Sequence, residues 1–132
     1  RAFSEKTPRH QVMFLSAHKP PFNDIRVREA FRYLIDRKGL LAAALLGQGS
    51  IGNDVPLLAS DPMMPELEQN DQDLPRAKAL LDSAGVKDLS LTLWTSSERP
   101  PSPKMALAMQ QAASKIGVMI KVNDIILRIQ NF

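Results

Sequence analysis

The chain has 132 residues, 44% of them hydrophobic: one domain of ordinary size, with enough apolar surface to bury a core and too much for wholesale disorder. The absence of cysteine excludes disulfides and thiolate metal sites, and no apolar run approaches the roughly 20 residues of a membrane span. A net charge of +3 is only mildly basic and does not single out a nucleic-acid partner.

Residues 1–10 are polar and carry Pro8, so they read as a linker or entering arm, with 11–132 as a single α/β domain. The opening Arg1-Ala2-Phe3-Ser4 has neither methionine nor signal peptide, and the expectation is a piece of a longer protein. Gln11 to Ala17 holds Val12, Met13, Phe14 and Leu15 without a helical stripe, which predicts a buried strand. From Pro20 to Arg37 the pattern changes. Asn23 or Asp24 offers a side-chain oxygen to cap free amides, and Val27, Ala30, Phe31, Leu34 and Ile35 recur at helical spacing. Glu29 with Arg32, and Arg32 with Asp36, are spaced to pair along the wet face. The stripe restarts with Leu40, Leu41, Ala44 and Leu45 and stops at Gly47, giving two consecutive helices or one with a kink.

Gln48 to Gln72 carries Gly49, Gly52, Pro56, Pro62 and Pro65 with no sustained period, as a long surface loop does. Its second half, with Asp61, Glu66, Glu68 and Asp71, lacks the alternating ligands and glycine turn of a calcium loop and reads as a solvated acidic stretch. Pro75 sits where a helix begins, and Ala77, Leu80, Leu81 and Ala84 form a stripe stopped by Gly85. Leu89, Leu91 and Leu93 alternate with Ser90, Thr92 and Trp94 as a strand. Met105, Ala108, Met109, Ala112 and Ile116 then make a helix ending at Gly117, and Val118, Ile120 and Val122 alternate again. Strand, helix, strand over so short a stretch is a βαβ unit with parallel strands and a right-handed crossover. The predicted architecture is α/β, with helices packed on a small mixed sheet and a C-terminal βαβ unit. The tail, Asp124 to Phe132, is apolar enough to pack on something.

Few residues carry chemistry. Gly47-Gln48-Gly49-Ser50-Ile51-Gly52 spells a dinucleotide-binding fingerprint, but it follows a helix where the motif must follow a strand and open a helix, so no cofactor is expected. The basic run Arg26, Arg28, Arg32, Arg37 and Lys38 could meet phosphates, making a nucleic-acid or protein-interaction module on the 26–38 face the competing function. Asp24, Glu29 and Asp36 interrupt the run, and no interleaved aromatics accompany it. His10, His18, Ser16 and Ser50 assemble no nucleophile, base and orienter by spacing, and no metal-binding pair exists, so neither an enzyme nor a metal site is expected. Met105 and Met109 share a stripe that core packing explains. Trp94 lies opposite the leucine face at the carboxyl end of its strand, before Thr95-Ser96-Ser97-Glu98-Arg99. Ligands of α/β sheets gather there, so Trp94, Thr95 and Ser96 are the candidate ligand-binding residues; the alternative is a tryptophan packed under the crossover helix.

The order Pro20-Pro21-Phe22-Asn23-Asp24-Ile25-Arg26-Val27-Arg28-Glu29-Ala30-Phe31-Arg32-Tyr33-Leu34-Ile35-Asp36-Arg37, then Arg76-Ala77-Lys78-Ala79-Leu80-Leu81-Asp82-Ser83-Ala84-Gly85, then a strand, a helix and Lys115-Ile116-Gly117-Val118, resembles the extracytoplasmic solute-binding proteins of ABC transporters, of the dipeptide, oligopeptide and nickel type. The resemblance runs from Val12 to about Asn123. It implies part of the carboxyl-proximal lobe of a two-lobed, periplasmic or extracytoplasmic receptor that captures peptides or similar solutes and hands them to a membrane permease. It also implies that the residues meeting peptide termini lie in the remainder of the receptor chain. Ser16 stands where the family carries asparagine, and Leu74-Pro75 where it carries Asp-Pro.

Overall fold

The structure, a computed structural model, describes residues 10–55 and 61–125. It contains α1 (Ile25–Leu34), α2 (Arg37–Leu45), α3 (Leu74–Ser83), β1 (Ser90–Thr95), α4 (Ser102–Ser114) and β2 (Met119–Asp124). The expected entering arm and apolar tail fall almost entirely outside the described residues, with only His10, Asp124 and Ile125 inside them.

Helix α1 starts where Asp24, in extended conformation, turns its carboxylate back onto the Arg26 amide at 2.8 Å. Its stripe Val27, Ala30, Phe31 and Leu34 is buried, and Phe22 packs its edge on Phe31 with ring centroids 5.1 Å apart. Complete burial of Val27 and Leu34 contributes about 2 kcal/mol each. Extended backbone at Ile35 ends α1, and Asp36 caps α2 by accepting the Gly39 N–H at 2.8 Å. A Cβ on Gly39 would displace the Asp36 carboxylate from its present position. The chain therefore forms two helices. Asp36 is committed to this cap and Arg32 reaches Asp54, so neither of the ion pairs expected along α1 forms.

The loop after α2 is long but knitted. Asp54, in left-handed conformation at φ 60°, receives Arg37 Nη2 at 2.7 Å on both carboxylate oxygens and Arg32 Nε at 3.1 Å. Asn53 holds the returning strand of loop through the Glu68 carbonyl and the Asn70 amide, and Gln72 donates to the Leu34 carbonyl at 3.0 Å. Of the acidic residues, Asp71 pairs with Lys38, and Asp73 caps α3 by accepting the Arg76 N–H at 2.9 Å.

Helix α3 lies chiefly against α1, burying Ala77 and Leu81, while the Arg76 guanidinium stacks over the Tyr33 ring at 4.2 Å. Strands β1 and β2 pair in parallel, with Leu91 opposite Ile120 and Leu93 opposite Val122, and α4 connects them as the βαβ unit. Ala106, Met109, Ala112 and Ala113 of α4 are buried, and Gln110 reaches across to the Ile120 carbonyl at 2.6 Å.

The strand expected over Gln11 to Ala17 does not form among the described residues. Met13 and Leu15 pack on the core while Val12 and Phe14 are exposed, so the in-and-out alternation is real, but no neighbouring strand supplies the ladder.

Candidate functional site

In a parallel sheet the carboxyl ends of the strands share one edge, and here that edge is made by Trp94 and Thr95 of β1 beside Asn123 and Asp124 of β2. The loop leaving β1 turns tightly over it. Ile125 N–H donates to the Thr95 carbonyl at 2.8 Å, extending the pairing past the strand, and Asp124 Oδ1 accepts the Ser97 N–H at 2.8 Å. Ser96 Oγ accepts the Glu98 N–H at 3.3 Å, and Arg99 N–H closes a turn onto the Ser96 carbonyl at 3.1 Å. Ser102, the first residue of α4, donates its N–H to the Arg99 carbonyl and its hydroxyl to Gln11 Oε1. The loop is thus tied to β2, to α4 and to the start of the chain's first described segment.

Trp94 is 60% exposed. Helix α4 covers the face that carries Leu91 and Leu93, so the tryptophan is not packed beneath the crossover helix; it stands on the open face with Thr92 and Ser90 and the cross-strand side chains of Met119, Lys121 and Asn123. Thr95, next in the alternation, turns the other way, and its buried Oγ1 has no hydrogen-bond partner among the described residues. Ser96 is half-buried. Arg99, which no residue pattern singled out, is exposed on the same loop and forms no ion pair among the described residues. Its signal lies in contrast with the other described arginines, each of which has an ion pair, a side-chain hydrogen bond or a stacked ring, and only the tertiary structure reveals it.

Those others are engaged. Arg26 forks onto Asp24 and donates Nη1 to the Ser83 carbonyl at 2.6 Å; Arg28 caps the Phe22 carbonyl at 2.7 Å; Arg32 and Arg37 share Asp54; Lys38 meets Asp71. Hydrogen bonds from Arg26 hold the Asp24 carboxyl below its ordinary value, and Asp24 in turn raises the Arg26 guanidinium. Four of the five cations of the 26–38 face are thus held in ion pairs and Arg28 in backbone hydrogen bonds, so their side chains are committed within the fold. His10, His18, Ser16 and Ser50 are all exposed and hold no mutual hydrogen bond among the described residues. A separate recess of about 440 Å³ beside Asp54, lined by Arg32, Asn53, Leu67 and Asn70, shares no residue with the loop after β1.

The model of bacterial extracellular solute-binding proteins, family 5 Middle, matches residues 2–128. The dipeptide-binding protein of Escherichia coli is 32% identical over 127 residues, which cover 87% of this chain and 23% of that protein. The glutathione-binding protein GsiB of Salmonella typhimurium is 30% identical over 113 residues, 82% of this chain and 21% of that protein. The chain therefore spans less than a quarter of the relatives it matches. Among solved structures, a dipeptide-binding protein from Pseudoalteromonas in complex with Met-Leu superposes with a TM-score of 0.72 at 27% identity, over 83% of this chain and 22% of that one. NikA from Staphylococcus aureus in complex with Ni(L-His)2 gives 0.70 at 28% identity, over 76% of this chain and 22% of that one. The helices on a small sheet described above are a portion of the fold these proteins share, and the chain belongs to the bacterial extracellular solute-binding proteins of family 5.

Proposed function

We propose that the chain forms part of one lobe of a receptor that captures peptides or similar solutes outside the cytoplasm, in the periplasm or its equivalent, for delivery to the membrane permease of an ABC transporter. In this reading it catalyses no reaction, and 11–132 is a single α/β unit that the remainder of the receptor completes. The observation that carries the reading is the family match along residues 2–128, supported by relatives named for dipeptide and glutathione binding. Ligand held between two lobes binds best when they close on it, so its binding energy shifts the open-to-closed equilibrium.

Trp94, Thr95 and Ser96 lie nearest the ligand in this proposal. The exposed indole offers a flat apolar plate; the Ser96 hydroxyl keeps a proton to donate while its oxygen accepts from Glu98; Thr95 orients both through its main-chain bond to Ile125. Arg99 joins them as the cation that an anionic group of the solute needs, because no carboxylate among the described residues neutralises it. Native mass spectrometry of the full-length receptor with a pooled peptide library tests the function. A mass increment matching bound peptide supports it, and uptake of no peptide, sugar or metal chelate removes it.

A further inference from the structure

The open face of the β1–β2 pair carries Ser90, Thr92 and Trp94 from one strand and Met119, Lys121 and Asn123 from the other, and all but Asn123 are exposed. Met119 pairs with Ser90 at the end away from Trp94, so the stretch beside the indole is made of the Thr92 hydroxyl, the Asn123 amide and the Lys121 ammonium. Lys121 forms no ion pair among the described residues. Other lysines share that state, but Lys121 shares a face with the indole: Trp94 stands opposite Asn123, and Lys121 is one step of the alternation back, roughly 7 Å along β2. No carboxylate stands on this face among the described residues. Asp124 alternates to the other side, where it accepts the Ser97 N–H, and Glu98 belongs to the loop beyond β1. An ammonium in the middle of such a face resists dry packing, because burying an unpaired charge is costly. The face therefore suits a wet, intermittently occupied cleft.

We infer that Lys121 is a specificity-determining residue, selecting solutes that carry a second anionic group: peptides with an aspartate or glutamate side chain, or a comparable dicarboxylate. The inference rests on the receptor reading and deepens it. With the apolar part of the solute on Trp94 and one anionic group on Arg99, a further carboxylate on the sheet side meets Lys121. Thr92 and Asn123, its neighbours on the face, have donors for the remaining carboxylate oxygens. A lysine is a mobile point charge and not a rigid fork, so it reads the sign of the charge and tolerates acidic side chains of different length. A neutral side chain in the same place leaves the ammonium in water, while a basic one sets like charges together and is disfavoured.

Native mass spectrometry of the full-length receptor tests the inference, with an equimolar pool of peptides in matched sets that differ only in Glu, Gln or Lys at one position. The wild-type receptor is expected to capture the Glu members about tenfold over the Gln members and to take the Lys members least. Lys121→Gln is expected to lose the preference for Glu over Gln, and Lys121→Glu to turn it toward the Lys members. Equal capture of Glu and Gln members by the wild type overturns the inference and leaves the receptor reading standing. So does a preference that Lys121→Gln retains, which assigns it to another cation. A Lys121→Gln receptor that captures no peptide also overturns the inference, because it makes Lys121 part of a face that the remainder of the receptor covers. Capture of no peptide by the wild type removes the receptor reading, and the inference with it.

Discussion

Asp124 Oδ1 accepts the Ser97 N–H at 2.8 Å, so the carboxyl end of β2 holds the loop that follows β1. Replacing Asp124 by alanine removes a charge-assisted bond at an exposed position and is expected to cost about 1 kcal/mol. Asp124→Asn keeps the acceptor oxygen and recovers most of that loss. Urea denaturation of the full-length receptor, with hydrogen exchange at Ser97, checks both; equal stability in Asp124→Ala and wild type contradicts the tether.

Arg37 and Arg32 both bind Asp54, but the Arg37 side chain is only 10% exposed and Arg32 45%. Arg37→Met strands the better-shielded half of the network, including the Asn70 carbonyl it holds at 2.8 Å, and is expected to cost about 2 kcal/mol. Arg32→Met is expected to cost less than about 1 kcal/mol, as exposed pairs do. A thermal denaturation series that reverses this order contradicts the assignment.

Asp24 links pH to stability. Its carboxyl is held below the ordinary value of 3.8 by the Arg26 hydrogen bonds, so the native state binds that proton less readily than the unfolded chain. The stabilisation is fully present above 3.8 and fades as pH falls through the lower folded value. Asp24→Asn keeps the helix cap but not the charge, so it is expected to be less stable than wild type at neutral pH and to match it in strong acid. Chemical denaturation at both extremes reads the difference; a gap that persists in acid contradicts the pairing.

Leu34 is 1% exposed at the end of the α1 stripe. Leu34→Ala is expected to lower the unfolding free energy by about 3 kcal/mol, through lost burial and the cavity left behind. A loss below about 1 kcal/mol would mean that the α1–α3 core is not packed as described.

These features differ in how far local sequence reveals them. The Val27, Ala30, Phe31, Leu34 stripe and the caps at Asp24 and Asp73 act within a turn or two of helix, where spacing and residue type determine the outcome. The leucine alternation likewise placed Trp94 on the far face at the carboxyl end of β1. Arg32 shows the opposite case: helical spacing offers Glu29 and Asp36, yet the chain folds Asp54 in from 22 residues away. Val12 to Leu15 alternate as a strand does, but alternation reports which side chains are buried and not whether a neighbour exists to pair with. At the site, the Asp124 to Ser97 tether joins groups 27 residues apart, and the lack of an ion pair at Arg99 among the described residues stands out only beside the partners of the other described arginines.

Calorimetric titration of the full-length receptor with di- and oligopeptides, beside Trp94→Ala, tests whether peptide binds at the carboxyl end of β1. Saturable peptide binding is expected, weakened about tenfold by loss of the indole plate. A folded receptor that shows no peptide binding would contradict the claim, and peptide binding that Trp94→Ala leaves unchanged would contradict the placement of the ligand at the carboxyl end of β1.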